Sequence, residues 1–85
     1  MPDVTLYTTP FCPFCERAKR LLDKKGVPYL DIGVMGKPEL RREMEERSGG
    51  YTVPQIFIDD TPIGGSDELI DLEHSGKLDD MLKIS

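Results

Sequence analysis

Residues 4–19 read VTLYTTPFCPFCERAK, and this segment carries the clearest structural signals in the chain. Its first five residues are rich in β-branched and aromatic side chains, which predicts a strand. From Pro13 onward the apolar residues fall at helical spacing, which predicts a helix that ends at Gly26. Cys12 and Cys15 therefore stand where a strand leads into the first turn of a helix.

The remaining predicted elements alternate in type along the chain. They are, in order, a strand over residues 29–32, a helix from Pro38 to residues 48–50, a strand over residues 55–58, a turn over residues 59–62, a brief strand centred on Ile63, a helix that ends before Gly76, and a short helix over residues 78–83. Ser66 is predicted to be the N-cap of the third helix, because serine is favoured there and acidic residues follow. The order β-α-β-α-β-β-α-α contains one parallel βαβ unit and one hairpin. We therefore predict an α/β fold with a mixed sheet flanked by helices.

The composition suits a small soluble protein. The sequence has 85 residues, which is enough for one domain over residues 1–85 and too few for a second. No segment approaches the roughly 20 apolar residues that a membrane helix needs, and the N-terminus does not resemble a secretory signal. The two cysteines are too few and too close to staple a secreted domain. We therefore expect a cytoplasmic protein that does not contact membranes.

The net charge of −5 is unevenly distributed. Residues 12–25 contain five basic and two acidic residues, whereas residues 59–85 contain eight acidic residues and two lysines. An acidic chain is a poor nucleic-acid ligand, so no nucleic-acid partner is expected. The local positive charge near the cysteines favours a thiolate and attracts anionic thiol substrates.

The CPFC motif predicts redox chemistry at the start of the first helix. The sulfur of Cys12 would lie near unpaired backbone N–H groups and the positive end of the helix dipole, which favours its thiolate form. Cys15 lies one turn further in and could resolve a mixed disulfide. Zinc binding is disfavoured, because tetrahedral zinc needs four ligands and only His74 adds a further soft donor. No metal site is predicted.

Three separated motifs resemble the glutaredoxins, specifically the short bacterial single-domain form of the dithiol, CPYC-type class. They are CPFCERAK at residues 12–19, TVPQIFID at residues 52–59 and IGGSDEL at residues 63–69. Thioredoxins have a Trp-Cys-Gly-Pro-Cys segment, and this chain contains no tryptophan. Monothiol glutaredoxins have Cys-Gly-Phe-Ser, which the presence of Cys15 excludes.

The resemblance implies a thioredoxin fold, with glutathione as the reducing co-substrate and no bound cofactor. It implies that Pro54 follows a cis peptide bond and faces the cysteines, and that the backbone of Val53 pairs with glutathione like an added strand. Ser66 and Asp67 would hold the γ-glutamyl end of glutathione. The residues that the resemblance assigns to glutathione binding are Phe14, Arg41, Thr52, Val53, Pro54, Gly65, Ser66 and Asp67.

Two positions depart from the family pattern. Thr9 stands where the family commonly has a lysine near the glycyl carboxylate of glutathione, and Phe14 replaces the tyrosine of CPYC. Arg41 falls where family members place a glutamine or basic residue for that carboxylate, and its planar guanidinium could take over more of this contact. The alternative for Arg41 is an ordinary solvent-exposed helix residue.

The expected reaction begins when the Cys12 thiolate attacks a substrate disulfide. Cys15 then releases the reduced product, and glutathione restores the dithiol. The expected partners are glutathione and proteins that carry disulfides or glutathionylated cysteines, and the chain is expected to act as a monomer. Two alternatives remain: a related redoxin reduced by thioredoxin reductase, and a protein that binds an iron-sulfur cluster through Cys12 and glutathione.

Overall fold

The computed structural model describes residues 2–83. The elements are β1 (Val4–Thr8), α1 (Pro13–Lys24), β2 (Leu30–Gly33), α2 (Pro38–Ser48), β3 (Gln55–Ile58), β4 (Thr61–Gly64), α3 (Ser66–His74) and α4 (Lys77–Leu82). Their order is the one predicted from the sequence. Within residues 2–83, no helix has the length and apolar character needed to cross a membrane.

The four strands form one mixed sheet in the order β2-β1-β3-β4. β1 and β2 are parallel and are joined through α1, which confirms the predicted βαβ unit. β3 is antiparallel to both β1 and β4, which confirms the predicted hairpin. β1 is a central strand of this sheet. The segment that follows its carboxyl end contains both cysteines, and this segment therefore starts from the middle of the sheet.

Several predicted boundaries are wrong by one or two residues. β2 begins and ends one residue later than predicted, because the ladder pairs Thr8 with Gly33 and the N–H of Val34 donates to the Thr8 carbonyl at 2.9 Å. β4 begins at Thr61, so the tight turn contains only Asp59 and Asp60, both with positive φ. α4 lies one residue earlier than predicted at both ends.

The prediction that Ser66 caps α3 is wrong. Gly65 is the N-cap, and Ser66 is the first helical residue and is buried. The reason lies three residues further on, where Oε1 of Glu68 accepts a hydrogen bond from the Gly65 N–H at 2.8 Å. Because this carboxylate satisfies the backbone donor at the helix start, the position does not need a serine side chain.

The side chains of the central strands alternate between two apolar clusters on opposite faces of the sheet. On one face, residues of β1 and β3 pack against α1, α3 and α4; this cluster consists of Val4, Leu6, Ala18, Leu22, Val27, Ile56, Ile58, Leu69, Leu78 and Leu82. The smaller cluster on the other face consists of Tyr7, Val34, Met44 and Phe57. Replacing a fully buried leucine such as Leu22 by alanine costs about 2 to 5 kcal/mol of stability in comparable cores.

Polar contacts hold α2 against the sheet, because the helix buries only Met44. The Tyr7 hydroxyl donates to Oε2 of Glu43 at 2.8 Å and accepts from Nη1 of Arg47 at 2.6 Å. The Arg47 guanidinium also lies 4.4 Å from the ring centroid of Phe57. These contacts set the position of α2 on the sheet and therefore the position of Arg41, which it carries.

Candidate active site

Cys12 is the N-cap of α1, and its sulfur lies at the positive end of the helix. The residue has an extended backbone, and Pro13 follows it in the first turn, where a missing N–H leaves nothing unpaired. The Cys12 Sγ accepts a hydrogen bond from the Cys15 N–H at 3.2 Å and lies 3.9 Å from the carbonyl oxygen of Val53. The sulfur is half-buried, so a substrate can reach it.

Cys15 has a different environment, although it is only three residues away. Its side chain is fully buried and both cysteines are free thiols. Burial, with the hydrogen bond to Cys12 as the next cause, raises the pKa of Cys15 to about 12. At neutral pH Cys15 is therefore a protonated thiol, and Cys12 is the sulfur that is available for attack.

The loop before β3 closes the other side of the site. The peptide bond between Val53 and Pro54 is cis, which confirms the conformation implied by the resemblance. The Nε2 of Gln55, a buried residue, donates to the carbonyl and the hydroxyl of Thr52 at 2.9 and 3.3 Å. This amide holds the loop in place, and the loop presents the Val53 backbone beside Cys12.

A groove of about 270 Å³ runs from the start of α1 to the start of α3. Its lining residues are Phe14, Thr52, Val53, Pro54, Gly65, Ser66, Asp67 and Glu68. Seven of the eight residues that the resemblance assigns to glutathione binding therefore lie together. Glu68 lines the groove but was missed at the sequence level, although a glutamate three residues after a helix N-cap is a recognisable capping signal.

Arg17 is a second groove neighbour that the sequence did not reveal. Its guanidinium carbon lies 5.9 Å from the ring centroid of Phe14, and its Nη1 lies 3.9 Å from Oδ1 of Asp67. The Asp67 side chain is 75% exposed, so this loose ion pair leaves its carboxylate free to accept an ammonium group. The spacing of three residues between Phe14 and Arg17 on α1 was the available signal.

Arg41 is the predicted binding residue that does not line this groove. It lies with Thr9 in a separate depression of about 380 Å³, formed where β2 leads into α2. Its Nη2 donates to the Tyr51 carbonyl at 2.7 Å, and its Nε lies 3.6 Å from Oε2 of Glu45. Arg41 and Thr9 are therefore neighbours. This position is compatible with Arg41 taking over the contact with the glycyl carboxylate, and that contact stays a prediction.

A charged cluster links α1 to β2. Nζ of Lys19 lies 2.8 Å from Oδ2 of Asp31, and the hydroxyl of Thr8 donates to the other carboxylate oxygen. Burial raises the pKa of Asp31, but the contacts with Lys19 and Thr8 outweigh it, and the pKa is lowered overall. The hydrogen bond with Asp31 raises the pKa of Lys19, so the pair is charged at neutral pH.

The described residues do not gather metal ligands around the cysteines. Within residues 2–83, no group of three or more His, Cys, Asp or Glu side chains is placed to hold a metal ion. His74 lies at the last turn of α3. The site therefore consists of two thiols, a helix N-terminus, a cis-proline loop and an adjoining groove.

Comparison with known proteins identifies relatives over almost the whole chain. The family model described as Glutaredoxin matches residues 4–63. The chain is 54% identical over 82 residues to a protein named Glutaredoxin from Pseudomonas aeruginosa, covering 96% of this chain and 98% of that protein. It is 49% identical over 83 residues to Glutaredoxin 3 of Escherichia coli K12, covering 98% of this chain and 100% of that protein.

Solved structures agree with the sequence relatives. Glutaredoxin from Brucella melitensis is similar with a TM-score of 0.85 and 54% identity, covering 98% of this chain and 90% of that one. A buckwheat glutaredoxin solved as a complex with glutathione has a TM-score of 0.89 and 27% identity, covering 99% of this chain and 83% of that one. The fold is the thioredoxin fold of these proteins.

Proposed function

The chain belongs to the glutaredoxin family and is a thiol-disulfide oxidoreductase, and from this premise we propose that it uses glutathione to reduce protein disulfides and glutathione mixed disulfides through Cys12 and Cys15. The observation that carries the proposal is the position of the Cys12 sulfur. It caps α1, accepts the Cys15 N–H at 3.2 Å, and adjoins a groove that reaches the start of α3.

The first step is the attack of the Cys12 thiolate on one sulfur of the substrate disulfide. The substrate S–S bond breaks, a disulfide forms between Cys12 and the attacked sulfur, and the other substrate sulfur leaves as a thiolate that takes a proton from water. Hydrogen bonding to the Cys15 N–H and the positive helix end stabilise negative charge on the attacking sulfur. The half-buried setting of Cys12 leaves one side of the sulfur open to the substrate.

The second step depends on the substrate. For a protein disulfide, Cys15 attacks the Cys12 sulfur, the reduced protein leaves, and two glutathione molecules then restore both thiols while one molecule of oxidised glutathione forms. For a glutathione mixed disulfide, Cys12 takes the glutathionyl group and a second glutathione removes it, so Cys15 is not needed. The short Cys12 to Cys15 separation along one helical turn makes the first route possible.

The groove suits the γ-glutamyl end and the cysteinyl backbone of glutathione. The Val53 N–H and carbonyl can pair with the cysteinyl part as an added strand does. The N–H groups at the start of α3 suit the γ-glutamyl carboxylate, and the Asp67 carboxylate suits the ammonium group. The buckwheat relative was solved as a complex with glutathione, which supports glutathione as the proposed ligand of this chain.

Consumption of NADPH in two coupled assays tests the proposal. One assay contains glutathione and glutathione reductase, the other contains thioredoxin reductase, and both use the same low-molecular-weight disulfide. We expect rapid turnover in the first assay and little in the second. Turnover supported by thioredoxin reductase alone would contradict glutathione dependence and favour the alternative redoxin.

We further propose that the chain acts as a monomer in a reducing compartment such as the cytoplasm. Both sulfurs and every lining residue of the groove come from one chain, so the proposed reaction needs no second copy, and its cycle begins from the reduced dithiol. Sedimentation of the reduced protein tests the monomer. A dimer with visible absorbance after anaerobic purification would instead support the cluster-binding alternative.

A further inference from the structure

Cys15 and Lys19 lie one turn apart on α1, on neighbouring positions of the same helix face. Cys15 is fully buried, and the Lys19 side chain is only 20% exposed, which is low for a lysine. By contrast, the next residue, Arg20, is exposed to solvent. The helix therefore places one of its basic residues one turn beyond the buried thiol, with its side chain largely covered.

The ammonium group of Lys19 is held by the sheet. Nζ lies 2.8 Å from Oδ2 of Asp31 on β2, and Asp31 is itself held by the hydroxyl of Thr8 at the end of β1. Glu16, on the exposed side of α1, lies 3.8 Å from the same Nζ. Because these contacts span two strands and one helix, Lys19 has fewer positions open to it than a free surface lysine.

The dithiol reaction needs Cys15 as a thiolate, although the protein disfavours that form. Burial raises the pKa of Cys15 to about 12, and the hydrogen bond to Cys12 adds to the rise. A backbone hydrogen bond from Thr9 and the charge of Lys19 act in the opposite direction. The charge of Lys19 is the smallest of these effects on the pKa of Cys15, and it is the one that comes from a cationic side chain.

We propose that Lys19, held in place by Asp31 and Thr8, is a positioning residue that stabilises negative charge on the Cys15 sulfur whenever that sulfur attacks or leaves Cys12. This inference rests on the proposed dithiol function. In the attack, Cys15 gives its proton to water, its sulfur bonds to the Cys12 sulfur, and the bond from Cys12 to glutathione breaks. Glutathione leaves as a thiolate that keeps the electron pair of the broken bond and takes a proton from water, so the Cys15 sulfur is oxidised and the glutathionyl sulfur is reduced.

The reverse reaction obeys the same rule. When glutathione attacks the disulfide at Cys12, Cys15 departs as a thiolate before it is protonated. A charge that stabilises this thiolate speeds both directions, because it acts on the transition state that they share. It changes the equilibrium little at neutral pH, because Cys15 is uncharged both as a disulfide and as a thiol.

Rapid mixing of the reduced protein with oxidised glutathione tests the inference. A first phase forms the mixed disulfide at Cys12, and a second phase forms the internal disulfide and releases glutathione. We expect Lys19→Gln to slow the second phase roughly threefold to tenfold and to displace its pH profile toward higher pH. Lys19→Arg should restore most of the rate, whereas Arg20→Gln, an equal charge change on the exposed face, should behave like the parent protein.

A Cys15→Ser background separates the inference from a general loss of structure or function. There, exchange of glutathione at Cys12 should not depend on which residue stands at position 19. An unchanged second phase in Lys19→Gln, or an equal loss with and without Cys15, would overturn the role of Lys19. If the parent protein never forms a glutathione mixed disulfide at Cys12, the proposed function fails, and this inference fails with it.

Discussion

Cys12 and Cys15 are three residues apart, yet the fold surrounds their sulfur atoms with different groups. The Cys12 sulfur receives a backbone N–H at the helix start and stays half-buried. The Cys15 sulfur is enclosed, and burial raises its pKa to about 12. Since the thiolate is the nucleophile in disulfide exchange, this contrast separates an attacking sulfur from a resolving one.

The first prediction follows from that separation. Cys15→Ser should keep most of the turnover of glutathione mixed disulfides, which needs only Cys12, and should lose much of the reduction of protein disulfides. Cys12→Ser should abolish both activities. The glutathione-coupled assay with each substrate class measures the two effects. Substantial activity in Cys12→Ser would show that Cys12 is not the nucleophile.

The second prediction concerns the two ends of glutathione. Asp67 lies in the groove and Arg41 lies beside Thr9, so each is expected to contact a different end of the ligand. A charge-assisted hydrogen bond at a partly exposed site contributes roughly 1 to 2 kcal/mol, so Asp67→Ala or Arg41→Ala should weaken glutathione use about fivefold to thirtyfold. Turnover with dithiothreitol, which lacks both ends, should change little.

Combining substitutions sharpens this comparison. The double variant should show nearly additive losses, because the two contacts involve separate parts of the ligand. Thr9→Lys should partly rescue Arg41→Ala but not Asp67→Ala, and Asp71→Ala on the exposed side of α3 is the matched control. Equal losses with glutathione and dithiothreitol would mean that Asp67 and Arg41 support the fold and not the ligand.

At the scale of elements, α1 and β2 are joined by more than apolar packing. Asp31 on β2 binds Lys19 on α1 and the Thr8 hydroxyl on β1, and it does so on the side of the sheet that supports Cys15. Such a contact positions the helix relative to the sheet. It also makes the stability of the chain depend on the charge of one carboxylate.

The third prediction is a pH-dependent stability difference for Asp31→Asn. The folded-state pKa of Asp31 is lowered, so its contribution is fully present above the unfolded value of about 3.9 and is lost as the pH falls through the folded value. At neutral pH the variant should be less stable by about 0.5 to 1 kcal/mol, since the carboxylate is partly exposed. Urea unfolding at a series of pH values measures this difference.

Asp71→Asn, which removes an exposed carboxylate from α3, is the control for that experiment. It should show no comparable change between neutral and strongly acid solution. A stability difference for Asp31→Asn that is equally large at every pH would contradict the ionic origin of the contribution. It would point instead to a packing defect at the substituted side chain.

The element order and the sheet were predictable, because they depend on signals local in the sequence. The spacing of apolar residues after Pro13 reveals α1. The residues that end one element also lie close in the sequence to those that begin the next. The N-cap of α3 was assigned wrongly, because serine is a stronger general cap than glycine, whereas the contact from Glu68 depends on a particular side-chain conformation. β2 shifted by one residue because its register follows β1.

The candidate site was predictable where its residues belong to contiguous motifs. Phe14, residues 52–54 and residues 65–67 lie together in the groove, as the resemblance implied. The ion pair of Lys19 and Asp31 was not predictable, because twelve residues separate its members and only the parallel pairing of β1 and β2 brings them together. Arg41 was named from the sequence, but its location in a separate depression was not predictable, because that depression forms only when α2 is placed against the sheet.

At the scale of the whole molecule, the groove combines three segments that are distant along the chain. The start of α1, the loop before β3 and the start of α3 meet because the carboxyl end of β1, the amino end of β3 and the carboxyl end of β4 lie at the same end of the sheet. Among the basic residues of α1, Arg17 lies beside this region, 3.9 Å from Oδ1 of Asp67, although the net charge is −5. Its guanidinium is the positive charge of α1 that an anionic ligand in the groove would meet.

The fourth prediction follows from this assembly, because a groove built from three distant segments exists only in the folded chain. A ligand that binds it must stabilise the fold by RT ln(1 + [L]/Kd), which is about 1.4 kcal/mol at tenfold excess over Kd. For a domain of this size, S-methylglutathione, which cannot form a disulfide, should then raise the melting temperature by roughly 5 to 10 °C. Asp67→Ala should need about fivefold to thirtyfold more ligand for the same rise, whereas Asp71→Ala should match the parent protein. A melting temperature that does not respond to S-methylglutathione at any concentration would show that the groove does not bind glutathione, whatever the chemistry at Cys12.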